Sequence, residues 1–168
     1  MKTIDDWLDE YGLYHKNKIN KIIHWICIPL IILSLFGMLS IVKLFNFEIL
    51  NSFFCVTLCH FFIVFALLFY LRLSYLMSLG MFLFSALCLS INYQIELLFQ
   101  SVYYLFSLHI GIFIFAWILQ FIGHEIEGKK PAFVEDLKFL LIGPAWLLGF
   151  LYKNCLLYTS PSPQDRTR

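Results

Sequence analysis

A chain of 168 residues in which 61% are hydrophobic and 14% charged has too few polar side chains to coat a soluble globule, since soluble domains are about half apolar and a quarter charged. It reads as all-α, a polytopic membrane helical bundle. The formal net charge of +1, with no basic stripe, excludes a nucleic-acid partner.

In chain order, residues 4–15 (IDDWLDEYGLYH) set Trp7, Leu8, Tyr11 and Tyr14 at three- and four-residue spacing, which predicts an N-terminal amphipathic helix at the interface. Thr3 suits its cap, and Asp5 and Asp6 suit its positive end. The first 24 residues hold no apolar core of a cleavable signal. Asn17 or Asn20 then caps a helix running into a first apolar block, about 22–42, where Pro29 predicts a kink or restart. Further blocks span about 53–71, 73–91 and 101–122. At 19 to 22 residues each, these four blocks can cross about 30 Å of hydrocarbon at about 1.5 Å per residue, so four transmembrane helices are expected. Only Arg72 separates the second and third, which implies a tight helical hairpin. The last block, 137–152, is shorter and carries Pro144 between Gly143 and Ala145, as a short or re-entrant hydrophobic helix would. Residues 1–152 thus form a single membrane domain. Residues 153–168 break abruptly into Ser, Pro and Arg, resemble translated sequencing-adapter read-through, and carry no functional expectation. Cys27, Cys55, Cys59 and Cys88 lie in apolar segments without a CxxC pair and read as packing residues.

Lys16, Lys18 and Lys21 precede the first span, Arg72 follows the second, and Lys129, Lys130 and Lys138 follow the fourth; only Lys43 falls on the other side. The N-terminus is therefore expected in the cytoplasm. This topology brings YHKNKINKIIHW (14–25) and GHEIEGKKPAF (123–133) to one membrane face, and with them three of the five histidines. His124 and Glu127, three apart, share a face if the fourth helix continues through them. His15 and His24 are nine apart, about 180° on one continuous helix, so they converge only if the chain breaks near Lys16 and Asn17. Imidazoles with a carboxylate suit a first-row metal such as Fe(II), and two His with one carboxylate is the non-haem iron oxygenase pattern. Two other readings stand beside this one. The histidines serve only packing and headgroup contacts in a non-catalytic membrane scaffold or lipid-binding protein, or His60 and His109, at similar depth, hold haem b in an electron carrier.

YHKNKINKIIHWICIPL resembles the signature Tyr-His-x-(Asn/Asp)-x-x-Asn-x-x-x-His-x-x-Gly-(Ile/Val)-Pro, and QFIGHEIEGKKPAF resembles a second, Gln-Phe-(Ile/Val)-Gly-His followed by Pro-Ala. Both belong to the small membrane proteins related to yeast 2-hydroxy fatty acid dioxygenase, and the resemblance covers about residues 1–152. Cys27 stands where that family usually has Gly. The resemblance implies an Fe(II)-dependent enzyme of fatty-acid α-oxidation that uses O₂ to shorten a 2-hydroxy fatty acid by one carbon. It makes His15, His24 and His124 the catalytic metal ligands, with Glu127 a fourth candidate. Asn20, Lys21, Lys129 and Lys130 are expected to contact the substrate, the lysines as point charges for its carboxylate. The acyl chain would stay among membrane lipid. Richness in Phe, Ile, Asn and Lys suggests an A/T-rich bacterial genome and the inner membrane, or the endoplasmic reticulum for a eukaryotic member.

Overall fold

The computed structural model describes residues 8, 11, 12, 15–49, 52–99, 101–128 and 133–155. Most of the expected N-terminal amphipathic helix, Lys129 and Lys130, and the tail beyond 155 lie outside the described residues. Helix α1 is Lys18–Ile41, strands β1 and β2 are Lys43–Ile49 and Ser52–Thr57, and helices α2, α3, α4 and α5 are Leu58–Leu73, Tyr75–Leu98, Val102–Glu127 and Phe133–Cys155.

The start of α1 is fixed by Asn17, which is extended (φ −68°, ψ 133°) and whose side chain accepts from the Ile19 amide at 2.8 Å. Pro29 lies inside a helix that runs on to Ile41, so the expected restart does not occur. Neighbouring helices tolerate a Pro in an apolar span by re-satisfying the freed backbone groups.

The second apolar block departs from expectation. Its first residues form β2, which pairs antiparallel with β1, and the helix begins only at Leu58. SFFCVT is aromatic and β-branched, and such a run fits a pleated edge as well as a helix. Helix α2 is left with 16 residues, about 24 Å. The tight turn at Arg72 is as expected: Ser74 is extended, its N–H reaches the Tyr70 carbonyl, and its hydroxyl caps α3. Among the described residues three helices, α1, α3 and α4, are long and apolar enough to cross a membrane. Their outer faces carry Ile26, Phe82, Leu83, Phe115 and Ile118, each more than half exposed, as a lipid-facing surface does.

Helix α1 packs most extensively on α4. Gly123 allows this at the polar end, because a Cβ there would lie 2.5 Å from Asn20 Oδ1. At the other end the His109 ring lies directly against Gly37, where no side chain fits. Helix α4 runs through His124 and Glu127 and stops at Gly128, whose φ of 73° ends the helix in the left-handed region. The apolar part of α5, Leu141–Tyr152, packs against α3 and α1. The Tyr70 hydroxyl donates to the Leu141 carbonyl and the Tyr152 hydroxyl to the Leu76 carbonyl, so both ends of this segment are tied to the one turn around Ser74.

Candidate metal centre

The chain break that the sequence required is present. His15 stands just before the helix, Asn17 caps it, and His24 follows in its second turn. The turn folds His15 back, so that the His15 and His24 rings lie 4.3 Å apart at 76°. His124 arrives from the last turn of α4, 4.9 Å from His24 and 5.6 Å from His15. His15 and His24 are 2% and 1% exposed, and His124 is half-buried.

The two buried rings are oriented by backbone. His15 Nδ1 lies 2.8 Å from the Tyr11 carbonyl and His24 Nδ1 lies 3.0 Å from the Asn20 carbonyl. A carbonyl only accepts, so each Nδ1 carries the proton and each Nε2 presents a lone pair. Metal-binding histidines are oriented in this way. His15 Nε2 is buried without a hydrogen-bond partner, which is costly for a polar atom unless something occupies its lone pair. Burial lowers the His15 pKa from 6.5 to about 4, the Tyr11 carbonyl opposing this, so the ring is neutral and ligand-ready at pH 7. Tyr11 stacks on His15 at 4.2 Å and 16°, and Trp146 of α5 lies 5.4 Å from both rings, beside them.

One ligand atom from each of His15, His24 and His124 lies within 4.8 Å of the other two. A point between them is then about 2.8 Å or less from each, against roughly 2.1 Å for a metal–imidazole bond, so a small inward shift makes three bonds. The donor set fits a divalent first-row ion: neutral imidazole suits iron, zinc, copper and nickel alike.

Glu127 does not join this group. Its Oε1 accepts from the Lys16 backbone N–H at 2.8 Å, and its Oε2 accepts from the Asn17 N–H at 2.9 Å and from Asn20 Nδ2 at 3.0 Å. The carboxylate thus sits on the amides at the N-terminus of α1, where the helix dipole also favours negative charge. It holds the break at Asn17 closed from a residue 110 positions away. Asn20, fully buried, is part of this clamp. Lys21 is exposed at the rim, near enough for its charge to act on His15. The sequence reading missed Tyr11 and Trp146 as walls of the site. The signal for Trp146 was its position as the single Trp of the last block, directly after Pro144 and Ala145.

His60 and His109 line a different cavity, of about 440 Å³, at the opposite end of the bundle beside the hairpin, together with Asn92, Glu96 and Lys43. His60 Nδ1 accepts the Thr57 backbone N–H at 3.1 Å. The neutral ring then carries its proton on Nε2 and has no lone pair left for an axial bond to haem iron.

The family described as 2-hydroxy-palmitic acid dioxygenase Mpo1-like matches residues 1–155. The chain is similar to the 2-hydroxy-palmitic acid dioxygenase MPO1 of Saccharomyces cerevisiae, with 32% identity over 146 residues that cover 85% of this chain and 76% of the yeast protein. No solved structure matches.

Proposed function

The chain belongs to the Mpo1-like family of 2-hydroxy-palmitic acid dioxygenases, and from that premise we propose that it is an Fe(II)-dependent membrane dioxygenase that shortens 2-hydroxy fatty acids by one carbon at the cytoplasmic face. The observation that carries this reading is the convergence of three histidines whose buried members have Nδ1 held by backbone carbonyls.

His15, His24 and His124 hold the ion. When bound, Fe(II) supplies the one-electron chemistry through which O₂ reacts with a closed-shell acid. Three neutral imidazoles leave the divalent charge uncompensated in a poorly solvated site, which favours an anionic, chelating ligand. A 2-hydroxy acid is such a ligand, through its carboxylate and adjacent hydroxyl. Lys21 at the rim, with Lys129 and Lys130, supplies further positive charge for the carboxylate. Tyr11 and Trp146 flank His15 and exclude water from that side. The overall conversion balances with O₂ alone: the 2-hydroxy acid and O₂ yield the acid one carbon shorter, CO₂ and water, with no outside reductant.

Four crossings, with the N-terminus in the cytoplasm, complete the proposal. Parity supports the fourth crossing. If only α1, α3 and α4 crossed, His15 and His124 would lie on opposite faces, yet their rings are 5.6 Å apart. Helix α2 therefore makes the return, and its shortfall against about 30 Å of hydrocarbon is met by local thinning of the bilayer. The charge bias of the ends puts the site on the cytoplasmic side, of the inner membrane in a bacterium or of the endoplasmic reticulum in a eukaryote.

The test is metal analysis of the purified protein coupled to O₂ uptake and product analysis with 2-hydroxypalmitate. A single iron per chain and release of the fifteen-carbon acid are expected, and His124→Ala should lose both. Full iron and full turnover in His124→Ala would refute the assignment.

A further inference from the structure

Helices α1 and α5 enclose a groove of about 470 Å³ beside the histidine cluster. Its mouth is Lys18 and Lys21, and its length is Ile22, Trp25 and Ile26, the same face of α1 one and two turns on. Trp146 and Phe150 of α5 form the far wall. Trp25 and Phe150 meet edge to face at 5.0 Å, which fixes the width of the groove midway.

Two features distinguish this groove from a generic lipid-contacting surface. Its charge is one-sided, with two lysines at one end and an apolar lining beyond them. It also shares a wall with the metal centre, because the Trp146 ring that lines it lies 5.4 Å from His15. A ligand seated with an anionic end at the lysines and an alkyl chain along Ile22 and Ile26 therefore lies against Trp146, the ring that also flanks His15. Ile22 and Ile26 are 60% and 57% exposed, so the groove opens sideways and the chain enters from the leaflet without leaving hydrocarbon.

We propose that this groove is the acyl site, and that it takes a single-chain long fatty acid from the bilayer with its carboxylate at Lys18 and Lys21. The proposal rests on the dioxygenase reading for the reaction, but the binding it describes stands or falls separately. Lys21 positions the carboxylate, and Ile22, Trp25 and Phe150 set which chains fit.

The experiment uses the full chain in nanodiscs of unbrominated phosphatidylcholine, with Trp7 and Trp117 replaced by Phe so that Trp25 and Trp146 report. A dibrominated stearate should quench these two tryptophans saturably, and 2-hydroxypalmitate should displace it. Palmitate methyl ester should compete about tenfold less well, as loss of a charge-assisted contact implies. Ile22→Phe, which fills the groove, should weaken quenching and raise KM about tenfold at unchanged iron content. Lys21→Gln should raise KM for the acid with little change in kcat, and Lys21→Arg should recover it. Quenching that never saturates, or that brominated phosphatidylcholine reproduces, would mean ordinary annular lipid and overturn the proposal. So would an Ile22→Phe protein that is active with unchanged KM and chain-length preference, a result that leaves the dioxygenase reading intact. Saturable, displaceable binding in a wild-type protein that turns over no 2-hydroxy acid would support the groove and refute the reaction.

Discussion

Replacing Glu127 tests whether the proposed metal centre depends on a residue outside its group of three histidines. Glu127→Ala removes an acceptor for three donors, at 2.8, 2.9 and 3.0 Å. Hydrogen bonds to a charged group contribute about 1.5–3 kcal/mol each when sheltered. This carboxylate is half-exposed, and water replaces part of what is lost, so about 2–3 kcal/mol for the set is the reasonable scale. The segment released is the turn Lys16–Asn17, and His15, a proposed ligand, directly precedes it. Loosening a residue that orients a ligand typically weakens metal binding about 10- to 100-fold, or about 1.4–2.7 kcal/mol. Glu127→Gln keeps one acceptor oxygen and the side-chain volume, so its loss should stay within about tenfold. The assay is anaerobic Fe(II) titration against a competing chelator. If Glu127→Ala binds iron as tightly as wild type, the clamp is irrelevant to the site. If Glu127→Gln loses iron as completely as His124→Ala, Glu127 is itself a ligand and the reasoning fails in the other direction.

Gly123→Ala puts a methyl 2.5 Å from Asn20 Oδ1; overpacking of this kind costs about 1–3 kcal/mol, and both iron affinity and melting temperature in detergent should fall. Gly37→Ala meets the His109 ring instead, so melting should fall by a similar amount while iron affinity holds, because that contact is at the far end of the bundle. Stability of the metal-free protein should decline as pH falls from 6.5 towards 4, because the unfolded chain then binds a proton at His15 that the folded chain refuses. The slope from this residue is at most about 1.4 kcal/mol per pH unit, no such decline is expected above 6.5, and His15→Asn should flatten the profile measured by denaturant unfolding.

What the sequence conveyed, and what it withheld, divides along physical lines. His15, His24 and His124 were legible because imidazole is rare in apolar segments and because counting charged ends folds two distant motifs onto one face. The break at Asn17 was legible from angle alone, since nine residues on one helix would point the rings apart. The partners of Glu127 were not, because two of its three donors are backbone amides, which every residue possesses and no pattern marks. The hairpin at 43–57 was hidden for a related reason: Phe, Cys and Val read as apolar in either a helix or a strand. The lie of α5 across the turn at Ser74 depends on two tyrosine hydroxyls finding carbonyls 71 and 76 positions away, and a local reading contains no term for that.

The distance along the chain between the histidines has a consequence for biogenesis. His15 and His24 leave the ribosome first, and about a hundred residues, including the β1–β2 hairpin and the α2–α3 helical hairpin, must be made and inserted before His124 follows. A nascent chain therefore carries only two of the three donors for most of its synthesis, and two imidazoles bind a passing ion far less tightly than three. When α4 seats on α1, Glu127 reaches the amides of Lys16 and Asn17 as His124 reaches the other rings, so closing the turn and completing the donor set are one event. With the proposed ligand set, metal capture reports that α4 has seated on α1, and a chain that stalls before residue 124 lacks the third donor.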